Sequence, residues 1–323
     1  MGAIVKIGST FVLAGRSVLP IFDEGIAMSL RDWFWIILLG AIWGCSFVFN
    51  AILIREIGPI WVTALRVSIG ALACWAVMLA LKKSVPRDPM LWLQLAGLGV
   101  IAYAIPFALF PLAQAHLASG IAAIINALTP MVTAVISHFW IGGEKSTPTK
   151  FTGVGIGFVG AAILVSPALS SGGASQLWAV MACLGATLCY ALSLNITRSY
   201  KHIEPTAFAS IALTGSAIVA IPVAFLTEGV PVITRAETWG AALAIGLLST
   251  AFTFQIMYRI LPRVGATNFA TTTFIAPISA LLIGVTVLGE SILPIQILGM
   301  LVIFFGLLFI DGRIRYLWKG ASV

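Results

Sequence analysis

A chain of 323 residues that is 60% hydrophobic and only 9% charged lies far below the roughly 25% of charged residues found in soluble domains. With a mean hydropathy of +1.08, this composition excludes a soluble enzyme and leaves no room for a separate soluble domain. The formal net charge of +7 would suit nucleic acid or acidic lipid, but the basic residues are spaced along the chain as a topology signal and not as a binding patch.

In chain order, residues 1–32 are expected to form a cytoplasmic N-terminal segment. Lys6, Arg16, Asp23 and Glu24 interrupt its apolar residues too often for a signal peptide. Two readings stay open for 1–28: an amphipathic cytoplasmic flap, or a translation start near Met28. Ten apolar runs follow, at 33–54, 59–81, 91–112, 117–140, 151–169, 176–197, 206–227, 239–259, 266–288 and 294–312. Each is close to the ~20 residues that cross the hydrocarbon core as a helix. Residues 313–323 are the expected cytoplasmic tail.

The loops sort by charge. One side of the membrane holds Lys6, Arg16, Arg31, Lys82, Lys83, Arg87, Lys145, Lys150, Arg198, Lys201, Arg259, Arg263, Arg313, Arg315 and Lys319; the other holds Arg55 and Arg235 alone. The basic side is cytoplasmic, so both termini are expected inside. Nine or eleven spans would scramble this sorting.

The chain also nearly repeats itself after 146 to 147 residues. Gly120 through Asn126 to Pro130 corresponds to the stretch from Gly265 through Thr273 to Pro277, and Gly142-Gly143-Glu144 to Leu288-Gly289-Glu290. Gly153 and Gly160 correspond to Gly299 and Gly306, and Gly58-Pro59 to Glu204-Pro205. Five spans per copy is an odd number, so the second copy enters the membrane upside down. The expectation is an all-α integral membrane protein of ten transmembrane helices, built as two inverted five-helix repeats at 33–169 and 176–312. Inverted repeats of this kind put a transport site between the halves.

Several segments resemble the EamA family of the drug/metabolite transporter superfamily. They are Ile42-Trp43-Gly44-Cys45-Ser46-Phe47, Ala118-Ser119-Gly120-Ile121 through Pro130, the Gly-Gly-Glu and Leu-Gly-Glu ends, and the Gly153/Gly160 and Gly299/Gly306 pairs. Within that family the chain is most similar to bacterial amino-acid exporters of the YddG type. The resemblance implies ten helices in the bacterial inner membrane, both termini inside, and a central cavity lined by spans 1, 3, 4, 6, 8 and 9.

Candidate binding residues follow from the polar groups inside the spans. A proline within a helix frees the carbonyl four residues earlier, so Pro130 and Pro277 release the carbonyls of Asn126 and Thr273. A freed acceptor beside a polar side chain at mid-bilayer makes a half-site for a polar ligand; the alternative is a pair of packing kinks that Asn126 and Thr273 patch. Trp43, Phe47 and Asn50 share one face of the first span, with Ser46 at its edge. Tyr190 and Ser193 lie at the corresponding place in the sixth span, Tyr103 in the middle of the third, and Thr253 in the eighth. Arg66, inside the second span, either snorkels outward, pairs a cargo carboxylate, or closes an outer gate.

No Asp or Glu lies near the centre of any span. Such a charge costs about 2.5–3.5 kcal/mol on insertion scales and is usually functional. Proton exchange through a central carboxylate, and selection of cationic drugs by charge pairing, are therefore disfavoured. The Lys/Arg pair that a phosphate ester would call for is missing too. No His/Asp/Glu cluster or metal-ligand spacing is present, so no enzyme activity, metal or cofactor is expected. Cys45, Cys74, Cys183 and Cys189 all fall within spans as packing residues, and Glu144 and Glu290 are expected to cap the loops that follow them. Glycine stripes in spans 5 and 10 mark a scaffold or a homodimer seam.

The sequence therefore reads as an exporter of small neutral or zwitterionic metabolites, most of all amino acids, working by alternating access. The alternative is a broad-specificity drug or metabolite exporter.

Overall fold

The computed structural model describes residues 4–7, 10–13, 29–170 and 174–312. It opens with a short antiparallel hairpin, β1 (Ile4–Ile7) and β2 (Thr10–Leu13), in which Val5 faces Val12. Both segments are rich in β-branched residues, which suit a paired strand; they lie ahead of the first span, and the membrane-spanning part is helical. The rest of the proposed flap, and the tail at 313–323, lie outside the described residues.

Helices make up the remainder. They are α1 (Leu30–Leu53), α2 (Pro59–Ala80), α3 (Pro89–Gly99) and α4 (Ile105–Gln114), then α5 (Ser119–Asn126), α6 (Thr129–Phe139), α7 (Pro148–Ser170) and α8 (Ala174–Thr197). There follow α9 (Pro205–Glu228), α10 (Ala236–Leu243), α11 (Thr253–Phe269), α12 (Thr272–Leu288) and α13 (Pro294–Ile310). Among the described residues, eight helical stretches are long and apolar enough to cross a membrane, and α12 and α13 add two apolar helices of 17 residues each. Pro59, Pro89, Pro205 and Pro294 sit in first turns, where a missing N–H is no loss. Ser29 and Asp88 accept backbone N–H groups as N-caps. Gly289, with φ +69°, ends α12 in a left-handed conformation that glycine adopts without strain.

Two departures from the expected spans matter. A π-helical stretch, Val100–Ala104, joins α3 to α4 just before Pro106, and a second, Ala244–Phe252, joins α10 to α11. The second overlaps the first at an offset of 146 residues, though no proline accounts for it. Further on, the chain was expected to leave the eighth span near 259 and begin the ninth at 266. Instead α11 continues through Pro262 and Gly265, and the break falls at 270–271. Arg263, in this stretch, pairs with Asp32 of α1, its Nε donating to Asp32 Oδ1 at 2.7 Å, and a tertiary tie of this kind overrides local breakers.

Close glycine contacts hold the bundle. A Cβ on Gly153 would stand 2.6 Å from the Gly306 carbonyl, and one on Gly306 would stand 2.6 Å from that of Gly153. Gly160 and Gly299 approach each other in the same way. The glycine stripes of α7 and α13 are thus consumed inside the chain, which removes them as a seam for a homodimer. Gly44 packs equally tightly on α12, at Ala276 and Ser279. All four cysteines are free.

Helices α2 and α9 are clamped at both ends. At one end the Glu228 carboxylate accepts from Ile60 N and Trp61 N, each at 3.0 Å, while Trp61 Nε1 donates to Gly229 O at 2.8 Å. At the other, Lys83 pairs with Glu204 and donates to Thr206 Oγ1 at 2.9 Å. Partial burial works to raise the Glu204 carboxyl pKa, but the bonds from Lys83 and Ala207 N outweigh it and hold the pKa below its usual value. In the loop after α1, Glu56 accepts from Thr234 N at 2.7 Å and Arg235 N at 3.1 Å. The hydroxyls of Thr234 and Thr238, with those backbone bonds, pull its pKa down to about 2.

Candidate functional site

The polar residues singled out in the sequence separate into two places. The first is a cavity of about 620 Å³ lined by Thr129, Pro130, Thr133 and Ser137 on one side and by Ala270 and Thr273 on the other. Thr129, Thr133 and Ser137 recur every four residues and so form one stripe of α6. Glu144, Lys150 and Arg198 also line it, at the end carrying the 142–150 segment. The cavity therefore joins Pro130 from the first half to Thr273 from the second.

The two prolines sit differently in their helices. The helix is interrupted between Asn126 and Thr129, so Pro130 lies in the first turn of α6 and not inside a continuous helix. The carbonyl of Asn126 is taken by Thr129 Oγ1 at 2.7 Å, and the same hydroxyl lies 3.3 Å from Asn126 Oδ1. Asn126 is outside the cavity lining; Thr129 stands there in its place. Pro277 does lie inside α12, which deprives the Thr273 carbonyl of its helical donor. Thr273 Oγ1 donates to Ala270 O at 2.6 Å. The reason Thr129 was missed is that a Thr one residue before a proline reads as a helix start, not as a cavity-lining group.

Away from the cavity mouth, the Glu290 carboxylate crosses to the N-terminus of α5. It accepts from Ser119 N at 2.8 Å, Ser119 Oγ at 2.8 Å and Gly120 N at 3.4 Å. It does not cap the loop that follows it, as expected; the positive end of a helix attracts a carboxylate more strongly. Its repeat counterpart Glu144 behaves differently. Glu144 pairs with Lys150 and remains 63% exposed at the edge of the open cavity.

The second place is a polar and aromatic layer buried among α1, α2, α4, α8 and the π stretch before α11. Trp43 Nε1 donates to Thr253 Oγ1 at 3.2 Å, and the indole edge meets Phe269. Arg66 does not snorkel. It is 8% exposed, its Nε donates to Thr250 Oγ1 at 3.1 Å, and its guanidinium lies 3.6 Å from the centre of the Phe107 ring. Phe107 and Phe110 both contact Tyr190, and Phe110 meets Phe47 edge-on at 5.2 Å. Tyr103 packs between Phe107 and Phe254. Asn50 Nδ2 donates to Gln114 Oε1 at 3.0 Å, and Gln114 Nε2 donates to Phe47 O at 2.6 Å.

Trp43, Asn50, Tyr103, Tyr190 and Thr253 therefore belong to one layer, with Arg66 inside it, and Ser46 is buried on α1 one residue before Phe47. Ser193 is spent locally, donating to Tyr190 O at 2.9 Å. Gln114 was missed, although a buried Asn50 calls for a polar partner on a neighbouring span. Among the described residues no three His, Cys, Asp or Glu side chains converge as metal ligands would.

A multi-pass helical bundle with a polar-lined cavity between its halves defines the class: an integral membrane transporter. The EamA-like transporter family matches residues 32–166 and again 177–311, and the chain belongs to that family. It is 26% identical over 284 residues to "Uncharacterized transporter YoaV" of Bacillus subtilis (strain 168), covering 84% of this chain and 94% of that one. It is 22% identical over 240 residues to "Protein PecM" of Dickeya dadantii (strain 3937), covering 73% and 78%. A solved crystal structure superposes with a TM-score of 0.64 at 16% identity, across 87% of this chain and 96% of its own; that likeness concerns the fold.

Proposed function

We propose that this transporter exports small neutral or zwitterionic metabolites, foremost amino acids, by alternating access between two inverted five-helix halves in the bacterial inner membrane. The observation that carries this reading is the cavity lined by Pro130 of one half and Thr273 of the other. In the proposed ten-span arrangement, with both termini cytoplasmic, this cavity opens inward. Cargo enters past Arg198 and Lys150, and the hydroxyls of Thr129, Thr133 and Thr273 replace part of its hydration.

The unequal ends support the alternation. Glu290 holds the outer end of α5 shut, while Glu144 is released from the equivalent duty at the inner end. In the opposite state the roles exchange: Glu144 closes on the start of the ninth span and Glu290 lets go. Helices α2 and α9, clamped at both ends, act as the frame against which the others move. No central carboxylate is available among the membrane spans to exchange a proton.

Purified protein in proteoliposomes should carry threonine, methionine or phenylalanine above empty vesicles. A broad panel of amino acids that gives no flux would end the amino-acid assignment. The aromatic layer of Phe47, Phe107, Phe110 and Tyr190 favours a second reading, a broad-specificity drug exporter. Cells expressing the protein would then resist cationic dyes and not toxic amino-acid analogues.

A further inference from the structure

We infer that Arg66 is a cargo-binding residue that receives a carboxylate group; this deepens the carrier reading above and rests on it. Arg66 is the eighth residue of α2, so its backbone lies about 10 Å from the start of that helix at 1.5 Å per residue. The side chain is turned into the bundle and 8% exposed. None of the four ion pairs among the described residues includes it. A buried cation with no counter-charge is a costly arrangement, and nothing in the packing demands it. At the 146-residue offset the equivalent residue is Ala212, fully buried in α9. There Ala212 O lies against Gly99, much as the backbone of Arg66 lies towards Gly246 in the other half. One copy of the repeat thus builds the same helix contact with a methyl group.

The guanidinium is also held in place. Thr250 Oγ1 occupies Nε and Phe107 covers one face. The outer N–H groups have no acceptor among the described residues. A fork of parallel donors with a fixed plane is the geometry that accepts a carboxylate in two bonds. On α1, which borders the same layer, Ser46 Oγ and Asn50 Oδ1 are buried without hydrogen-bond partners, on residues 5% and 2% exposed. Buried polar atoms normally find partners. Donors on Arg66 and acceptors on Ser46 and Asn50 match a molecule carrying both a carboxylate and an ammonium group. Arg66 lies nearer the Glu290-closed end than Pro130 does, so cargo reaches it beyond the end of the cavity, on the way out.

The test compares methionine, methioninamide and N-acetylmethionine as cargoes in proteoliposomes, using the wild type and Arg66→Gln. The wild type should carry methionine about tenfold or more faster than methioninamide, and Arg66→Gln should remove that preference. Equal transport of the two by the wild type, or a preference that survives Arg66→Gln, overturns the inference. N-acetylmethionine separates the two claims. If it moves as well as methionine and is lost in Arg66→Gln, the carboxylate site stands and the amino-acid assignment falls.

A silent transport assay still leaves a decisive measurement, the melting temperature of cargo-free Arg66→Met in detergent. A binding residue kept at the expense of stability gives a variant that melts several degrees higher than the wild type. A lower melting temperature makes the guanidinium a structural strut and overturns the inference.

Discussion

Glu290→Gln tests the gating scheme at one atom pair. The carboxylate serves three donors at the start of α5, namely Ser119 N, Ser119 Oγ and Gly120 N. An amide keeps one acceptor oxygen and turns an N–H₂ toward the remaining donors. Hydrogen bonds to a charged group contribute about 1.5–3 kcal/mol and neutral ones about 0.5–1.5, and loss of charge at a helix start removes roughly a further 0.3–1 kcal/mol. Glu290 is only half-buried, so a net loss of about 2 kcal/mol is expected, equivalent to about a 30-fold fall in the ratio of closed to open outer ends. The reporter is Ala118→Cys, placed just before α5, in protein whose four native cysteines are replaced by alanine. Labelling by an impermeant maleimide added outside should quicken by about 10- to 30-fold in Glu290→Gln. A change of less than about twofold would refute the latch, because the bonds would then hold equally in both states.

Three further outcomes follow from the same contacts. Gly153→Leu drives a side chain into the Gly306 backbone, where even a Cβ would sit at 2.6 Å; the expected result is loss of the monodisperse peak in detergent chromatography, whereas Gly155→Leu, which meets open space, leaves it intact. Thr253→Val strands the Trp43 indole N–H, at a cost of about 1–3 kcal/mol, and should lower the melting temperature by several degrees with a shift in tryptophan emission. Glu56 has a folded pKa of about 2 against an ordinary 4.5, so its contribution is complete above pH 4.5 and fades as pH falls toward 2. Glu56→Gln should therefore melt below the wild type at pH 6 and converge with it in acid; a constant gap down to pH 3 would count against the assignment.

Span positions were legible in the sequence because an apolar run long enough to cross hydrocarbon has few other uses. The expected run 59–81 became Pro59–Ala80, and 206–227 became Pro205–Glu228. Breaks within or between spans were harder. Pro262 and Gly265 looked like a loop, yet the helix passes through both, since the surroundings decide whether a local weakness becomes an end. The paired strands at 4–7 and 10–13 were hidden by their few residues. In the polar and aromatic layer, Trp43, Asn50, Tyr103 and Tyr190 could be found from depth and shared face. Arg66 could not be oriented that way, because its partner Thr250 lies 184 residues along the chain. Sequence gives the depth of a side chain in a span, but its rotamer depends on distant partners. For the same reason Thr129, and not Asn126, turned out to face the cavity.

Trans-stimulation in proteoliposomes tests the central claim most directly. Labelled methionine should enter vesicles faster when they are preloaded with unlabelled methionine, because a carrier that reorients with cargo on both legs exchanges faster than it returns empty. Entry that is unaffected by preloading, or no entry above empty vesicles, would contradict an amino-acid carrier that alternates between its two halves.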